Sequence, residues 1–175
     1  MKIEERHFYD IPSIDLFNLF TSKEYIVARC NAPDVMDYSI DYFGEKEGRF
    51  VVSVTAEMLV VMPDKIPKIL QNMMSDRHTM KSVTEWELGE GDARLAHYRV
   101  AMSGVPAKIS GTIGIKPHET GCLNELDLTI KSSVPLVGKK LCQFIGTEMK
   151  TGMADEHQLA LEYIENVYLA GQKQA

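Results

Sequence analysis

The chain reads as an α+β fold in which a curved antiparallel sheet of about seven strands wraps around a long C-terminal helix, with two short helices between strands 1 and 2. Three observations predict this. From Val35 onward apolar residues alternate with polar ones, and short turn signals interrupt the alternation. The stretch before it carries proline and serine at helix-starting positions. The last thirty-odd residues switch to a helical period with one apolar stripe.

Residues 2–10 form a weakly patterned, polar opening strand. Pro12 and Ser13 start a short helix with Leu16, Phe17 and Phe20 on one side, Ser13 being its expected cap. Thr21 or Ser22 breaks that helix and caps a second, which runs to about Arg29; Asn31, Pro33 and Asp34 end the pair. Met36, Tyr38, Ile40 and Tyr42 then share one face of a strand, with Asp37, Ser39 and Asp41 on the other. A hairpin loop over Gly44–Gly48 leads into a strand whose Phe50, Val52, Val54, Ala56 and Met58 face together, running on through Leu59-Val60-Val61-Met62 to Pro63.

Residues 64–77 read as a crossing segment with a helical turn carrying Ile66, Ile69 and Met73. Four strands follow: 79–88 with Trp86; 94–103 with Ala96, Tyr98, Val100 and Met102 on one face; 108–116 with Ile109, Gly111, Ile113 and Ile115; and 122–132 with Leu126, Leu128 and Ile130. Turns of a few residues join them, so the run is an antiparallel meander. Pro135 near a first helical position opens a helix over 136–170, about 50 Å long at 1.5 Å per residue. Leu141, Ile145, Met149, Leu159, Tyr163 and Val167 make its apolar stripe, widened by Cys142, Met153 and Ala160. The sheet is the surface expected to receive that stripe.

Bulk properties narrow the function classes. The 175 residues, 45% of them apolar, suffice for a sizeable core, and the absence of repeats or linker-like stretches makes one domain over 1–175 the default. Nineteen basic residues against 25 acidic ones, a formal charge of -6, argue against nucleic acid as a partner and disfavour permanent docking on an anionic membrane, while leaving room for a local basic patch. No segment approaches the roughly 20 apolar residues that cross a bilayer, so integral membrane association is not expected. The first residues lack the apolar run of a secretory signal, and Cys30, Cys122 and Cys142 are scattered and odd in number. The expectation is a reduced, cytoplasmic protein with three free thiols. Oligomeric state is not legible.

The order of elements resembles the helix-grip fold of the START and pollen-allergen superfamily, also called SRPBCC, over essentially the whole chain. At the level of motifs the sequence is similar to an uncharacterised bacterial domain-of-unknown-function family within it. The matching pieces are Gly104-Val105-Pro106 before a strand, Gly111 within it, and Val134-Pro135-Leu136-Val137-Gly138-Lys139-Lys140-Leu141 at the start of the last helix. That superfamily binds lipids, sterols and other apolar molecules between sheet and helix, and a minority of its members are cyclases or other enzymes. The resemblance implies a cavity rather than a reaction.

Within the helical stripe Glu156 is the one charge near the centre, between Leu159, Gly152 and Ile145 in projection. A carboxylate there meets a ligand, pairs with a sheet residue such as Arg99, or is exposed where the helix overhangs the sheet. Gly138, Gly146 and Gly152 weaken the helix, and close packing against the sheet is the expected reason for Gly152, with ligand space as the alternative. Tyr38, Tyr42 and Tyr98 lie on inward phases, where their hydroxyls need partners or orient a ligand. Met58, Met102 and Met149, with Met36 and Met153, suit an adaptable apolar wall as well as an ordinary core. Val54, Trp86, Ile113, Leu128 and Ile145 complete the expected lining.

Catalytic and metal templates are missing. His7, His78, His97, His118 and His157 include no pair at a metal-ligand spacing, and Ser110-Gly111-Thr112-Ile113-Gly114 sits inside a strand rather than on a nucleophile elbow. Cys142 has no visible base. No dinucleotide or phosphate fingerprint follows a strand, so no cofactor is expected. Lys131, Lys139 and Lys140 cluster near the start of the last helix, as a head-group contact or a solvated charge run. The expected function is non-catalytic binding of an apolar or amphipathic, lipid-like small molecule. A cyclase- or hydratase-type enzyme using inward tyrosines and Glu156, and a protein-interaction module without an open cavity, stay open as alternatives.

Overall fold

A computed structural model describes residues 1–59 and 76–168 of the chain. Among them, strand β1 (Lys2–Tyr9) is followed by helices α1 (Ser13–Phe20) and α2 (Lys23–Cys30). Strands β2 (Val35–Lys46), β3 (Arg49–Leu59), β4 (Arg77–Glu87), β5 (Arg94–Met102), β6 (Ala107–His118) and β7 (Gly121–Ser132) come next, then helix α3 (Gly138–Tyr163) and a π-helical turn at Ile164–Tyr168. The sheet is antiparallel with order β1-β7-β6-β5-β4-β3-β2. The meander is thus as expected, and β1 adds beside the last strand, setting Ile3 against Leu128 and Tyr9 against Cys122. The crossing segment expected over 64–77 lies almost entirely outside the described residues, as does the end of the last helix as expected.

Local chemistry accounts for the joins. Ser22 caps α2, its hydroxyl accepting from the Tyr25 amide at 3.3 Å. Ser13 does not cap α1: it is buried, Pro12 holds the cap position, and no side chain accepts there. The β2–β3 turn tightens to Glu47 and Gly48, both with positive φ (52° and 73°), the geometry that suits a two-residue hairpin. Gly111 is required for a different reason. A Cβ built there would overlap the Asp127 carbonyl oxygen on β7, so only glycine admits this close approach of β6 and β7.

Two β-bulges change the reading of β2. Register shifts fall between Val35 and Asp37 and between Ile40 and Tyr42. Each extra residue inverts the alternation. Past the second bulge Phe43, not Tyr42, turns inward and packs edge-on against Phe50 at 5.2 Å. Tyr42 is exposed and its hydroxyl donates to the Glu45 carbonyl at 2.9 Å; Met36 is exposed as well.

The last helix begins at Gly138, two residues later than expected, because Leu136 takes a left-handed φ of 66° and ends the loop. Its 26 residues reach about 39 Å. Leu141, Cys142, Ile145, Met153 and Ala160 are buried, and the principal backbone contacts of α3 are with β7 and β1, with α2 at its side. The core is built there: Ile3, Ile109, Leu128 and Ile130 meet Leu141, Cys142 and Ile145. A second cluster gathers Leu16, Phe17 and Leu19 of α1 with Tyr9, Trp86, Ile115 and Ala160; a third joins Ile26 and Cys30 of α2 to Val52.

Candidate functional site

Because α3 lies toward the β1–β7 side, the two halves of the concave face differ. On β7, Cys122, Asn124, Leu128 and Ile130 are buried and Leu126 between them is half-buried. On the other half many inward residues keep part of their surface accessible: Tyr38 and Ile40 on β2, Val54 and Met58 on β3, Met80, Ser82 and Thr84 on β4, and Tyr98 and Met102 on β5. Register places several of these side by side. Val54 faces Ser82, Ala56 faces Met80, and Thr84 faces Tyr98, which in turn faces Gly111, where no side chain competes with its ring.

A polar group closes this half from the helix side. Glu156 of α3 pairs with Arg29 of α2, Nε to Oε1 at 3.0 Å, the two side chains being 34% and 36% exposed. The alternative partner considered from sequence, Arg99, lies on the convex face and pairs with Glu85 at 3.0 Å. Burial disfavours the Arg29 charge, but the Glu156 carboxylate and the Tyr25 and Tyr98 phenols more than restore it, so its pKa is raised. Burial pushes the Tyr98 hydroxyl up to about 12; the Arg29 charge pulls it down and the Glu156 charge adds to the rise. Tyr98 therefore holds its proton at neutral pH and acts as a hydrogen-bond donor. The Tyr25 hydroxyl is buried with no hydrogen-bond partner among the described residues, and its pKa is also raised by burial and then by Glu156. Beside this group His157 stacks on His7 at 4.4 Å between ring centroids and meets the Tyr9 ring edge-on at 4.8 Å.

The expected lining residues divide accordingly. Tyr38, Val54, Met58, Tyr98, Met102 and Met149 are inward and half-buried, Met149 against the same apolar cluster that Tyr98 and Met102 touch. Leu128 and Ile145 belong to closed core, and Trp86 is 2% exposed with its ring edge-on to Phe17 at 5.5 Å. Ile113 is half-buried but packs on the α1 cluster. Tyr42 points away, as the bulge dictates. Gly152 is exposed with nothing within 4 Å of where a Cβ would stand, so close packing does not explain it; Gly146 is the glycine at the tight contact, a Cβ there meeting Met1 and Ile130.

Arg29 and Tyr25 were missed from sequence. Both lie on α2 at a separation of four, the spacing that puts two side chains on one helix face. That spacing could have flagged them; their partner Glu156, 127 residues further on, could not. Among the described residues no group of three or more His, Cys, Asp or Glu could hold a metal ion, and no helix is long and apolar enough to cross a membrane.

Sheet order, paired short helices and long closing helix define a helix-grip fold. The family model described as "Protein of unknown function (DUF2505)" matches residues 4–164, and the chain belongs to that family. No curated protein matches the sequence. Among solved structures it is similar to TTHA0849 from Thermus thermophilus (13% identity, TM-score 0.61, 94% of this chain and 97% of that one). It is also similar to a STAR-related lipid transfer protein from Xanthomonas axonopodis (10%, 0.58, 92% and 85%) and to human STARD10 (13%, 0.54, 97% and 68%). At these identities the likeness is one of fold.

Proposed function

We propose that this protein binds an apolar or amphipathic small molecule between α3 and the β2–β5 half of the sheet. The carrying observation is a set of inward side chains on β2–β5, Tyr38, Ile40, Val54, Met58, Met80, Tyr98 and Met102, that stay half-buried beside the buried Val52, Ala56 and Val100. Apolar surface held inward yet unsealed is what a small apolar ligand would cover. Val54, Met58, Met102 and Met149 supply an adaptable wall, the thioethers accommodating different shapes. Tyr38 and Tyr98 bring hydroxyls to it, and Arg29 and Glu156 bring a charge pair. Since each of these charges already meets its opposite, the pair suits a neutral polar end, a hydroxyl or carbonyl, better than an ionised one. The STAR-related lipid transfer protein among the fold's relatives is in keeping with this class of ligand.

Native mass spectrometry and organic extraction of purified protein test the reading, together with a thermal-shift panel of fatty alcohols, sterols and monoacylglycerols. A co-purifying apolar molecule, or a melting temperature that rises saturably with one panel class, is expected. A protein that carries nothing and shifts with none of them refutes it.

A further inference from the structure

One end of the sheet presents a surface that the interior ligand site does not use. The start of β6, the end of β7 and the start of α3 meet there, tied by the Ser132 hydroxyl donating to the Pro106 carbonyl at 2.8 Å. Three of its features are locally unfavourable. Lys108 and Lys131 are direct cross-strand partners, so like charges face each other. Lys139 and Lys140 occupy the first turn of α3, which holds no acidic residue, where the helix dipole favours carboxylates. Leu136 is fully exposed, at 102%, in a left-handed conformation that leucine rarely adopts, beside exposed Pro135.

Compensation is absent too. Lys2, Lys81, Lys116 and Lys150 each pair with a carboxylate; among the described lysines that make no ion pair, Lys23 and Lys46 stand on other elements, while Lys108, Lys131, Lys139 and Lys140 fall together here. In a chain of net charge -6, four uncompensated cations around a projecting apolar tip are a local reversal of sign. Lys131 and Lys139 also border an open cleft of about 700 Å³ with Met1, itself exposed, and Gln143.

We propose that this corner docks reversibly on an anionic phospholipid bilayer, with Leu136 and Pro135 entering the headgroup–acyl boundary and the four lysines meeting lipid phosphates. A cation pair facing itself and a strained apolar tip both gain from an anionic surface with an apolar interior. An acidic protein would satisfy the lysines but leave Leu136 without a purpose. The interaction needs no interior ligand, so it stands or falls separately from the binding reading.

The test is sedimentation of delipidated full-length protein with vesicles of phosphatidylcholine alone or in equal parts with phosphatidylglycerol. Binding is expected only with the anionic lipid and should fall as salt is raised. A lysine beside an anionic membrane is worth about a fivefold gain in partitioning. The double variant Lys139→Glu/Lys140→Glu, which also suits the helix dipole and so folds, is therefore expected to weaken binding by at least about twenty-fivefold. Leu136→Asp is expected to weaken it about tenfold. Leu136→Trp adds an exposed reporter to a chain whose single tryptophan, Trp86, is buried, and its emission should shift to the blue on anionic vesicles. Equal binding to both vesicle types, no loss in the lysine variant, no loss in Leu136→Asp or an unshifted reporter would each overturn the proposal. So would an acidic protein that competes for the lysines while vesicles do not bind.

Discussion

Arg29 Nε stands 3.0 Å from the Glu156 carboxylate and ties the second short helix to the C-terminal half of the long one. Both side chains are about a third exposed, which places the pair between a solvent-screened bridge and a buried one. Glu156→Leu or Arg29→Met alone is expected to destabilise by about 1–2 kcal/mol. Combined, Arg29→Met and Glu156→Leu should cost less than the sum of the separate losses, as urea unfolding of the double-mutant cycle will measure. Strict additivity would mean the two groups are not coupled.

Two glycines should respond in opposite senses to the same change. Gly111→Ala drives a Cβ into the Asp127 carbonyl, and a loss of about 3 kcal/mol or failure to fold is expected. Gly152→Ala meets nothing within 4 Å in a helix interior and should gain up to about 1 kcal/mol. Thermal melts of the two variants check both signs at once.

His157 sets an acid limit on stability. Burial and then the neighbouring His7 lower its pKa below the ordinary 6.5, so the unfolded chain takes up its proton at a higher pH than the folded one. The contribution is complete above pH 6.5 and is lost as pH falls from there through the lowered folded value. Asp41, held down to about 2 by hydrogen bonds from Thr55, Lys81 and Ser39, acts only at much lower pH. Denaturant midpoints measured from neutral to about pH 5 should fall for the wild type and fall less for His157→Phe. Parallel curves would remove His157 from the account.

Tyr98 and Tyr42 separate the inner face from the outer one. Once a ligand is in hand, Tyr98→Phe is expected to weaken binding by about tenfold, the worth of one hydrogen bond in a partly buried site. Tyr42→Phe loses only the exposed bond to the Glu45 carbonyl and should leave affinity unchanged. A titration in which Tyr42 matters and Tyr98 does not would contradict the proposed location of the site.

Met149 packs half-buried on the apolar cluster shared by Tyr98 and Met102. Met149→Asp sets an unpaired carboxylate in that seam and should unfold the protein or lower its melting temperature steeply. An unchanged melting temperature would show that this part of α3 does not rest on the sheet.

Alternation and turn chemistry were legible because they are local. The inward phases of β3, β5, β6 and β7 match their sequence patterns residue for residue, and Ser22 caps where a serine before an apolar-periodic run should. The lapse at Tyr42 has an equally local cause with no local signal: nothing in Ser39-Ile40-Asp41-Tyr42 distinguishes a bulge from a regular strand, yet one inserted residue reverses every face beyond it.

From pattern alone came the fold class, the meander, the apolar side of the closing helix and the oddity of Glu156, all consequences of backbone periods of two and 3.6. The partner of Glu156, the tilt of α3 toward β1 and β7, and the tightness at Gly146 rather than Gly152 emerged from packing. They depend on how separate elements pack, some of them more than a hundred residues apart, where side-chain volumes and charges compete for the same space and no short-range rule reaches.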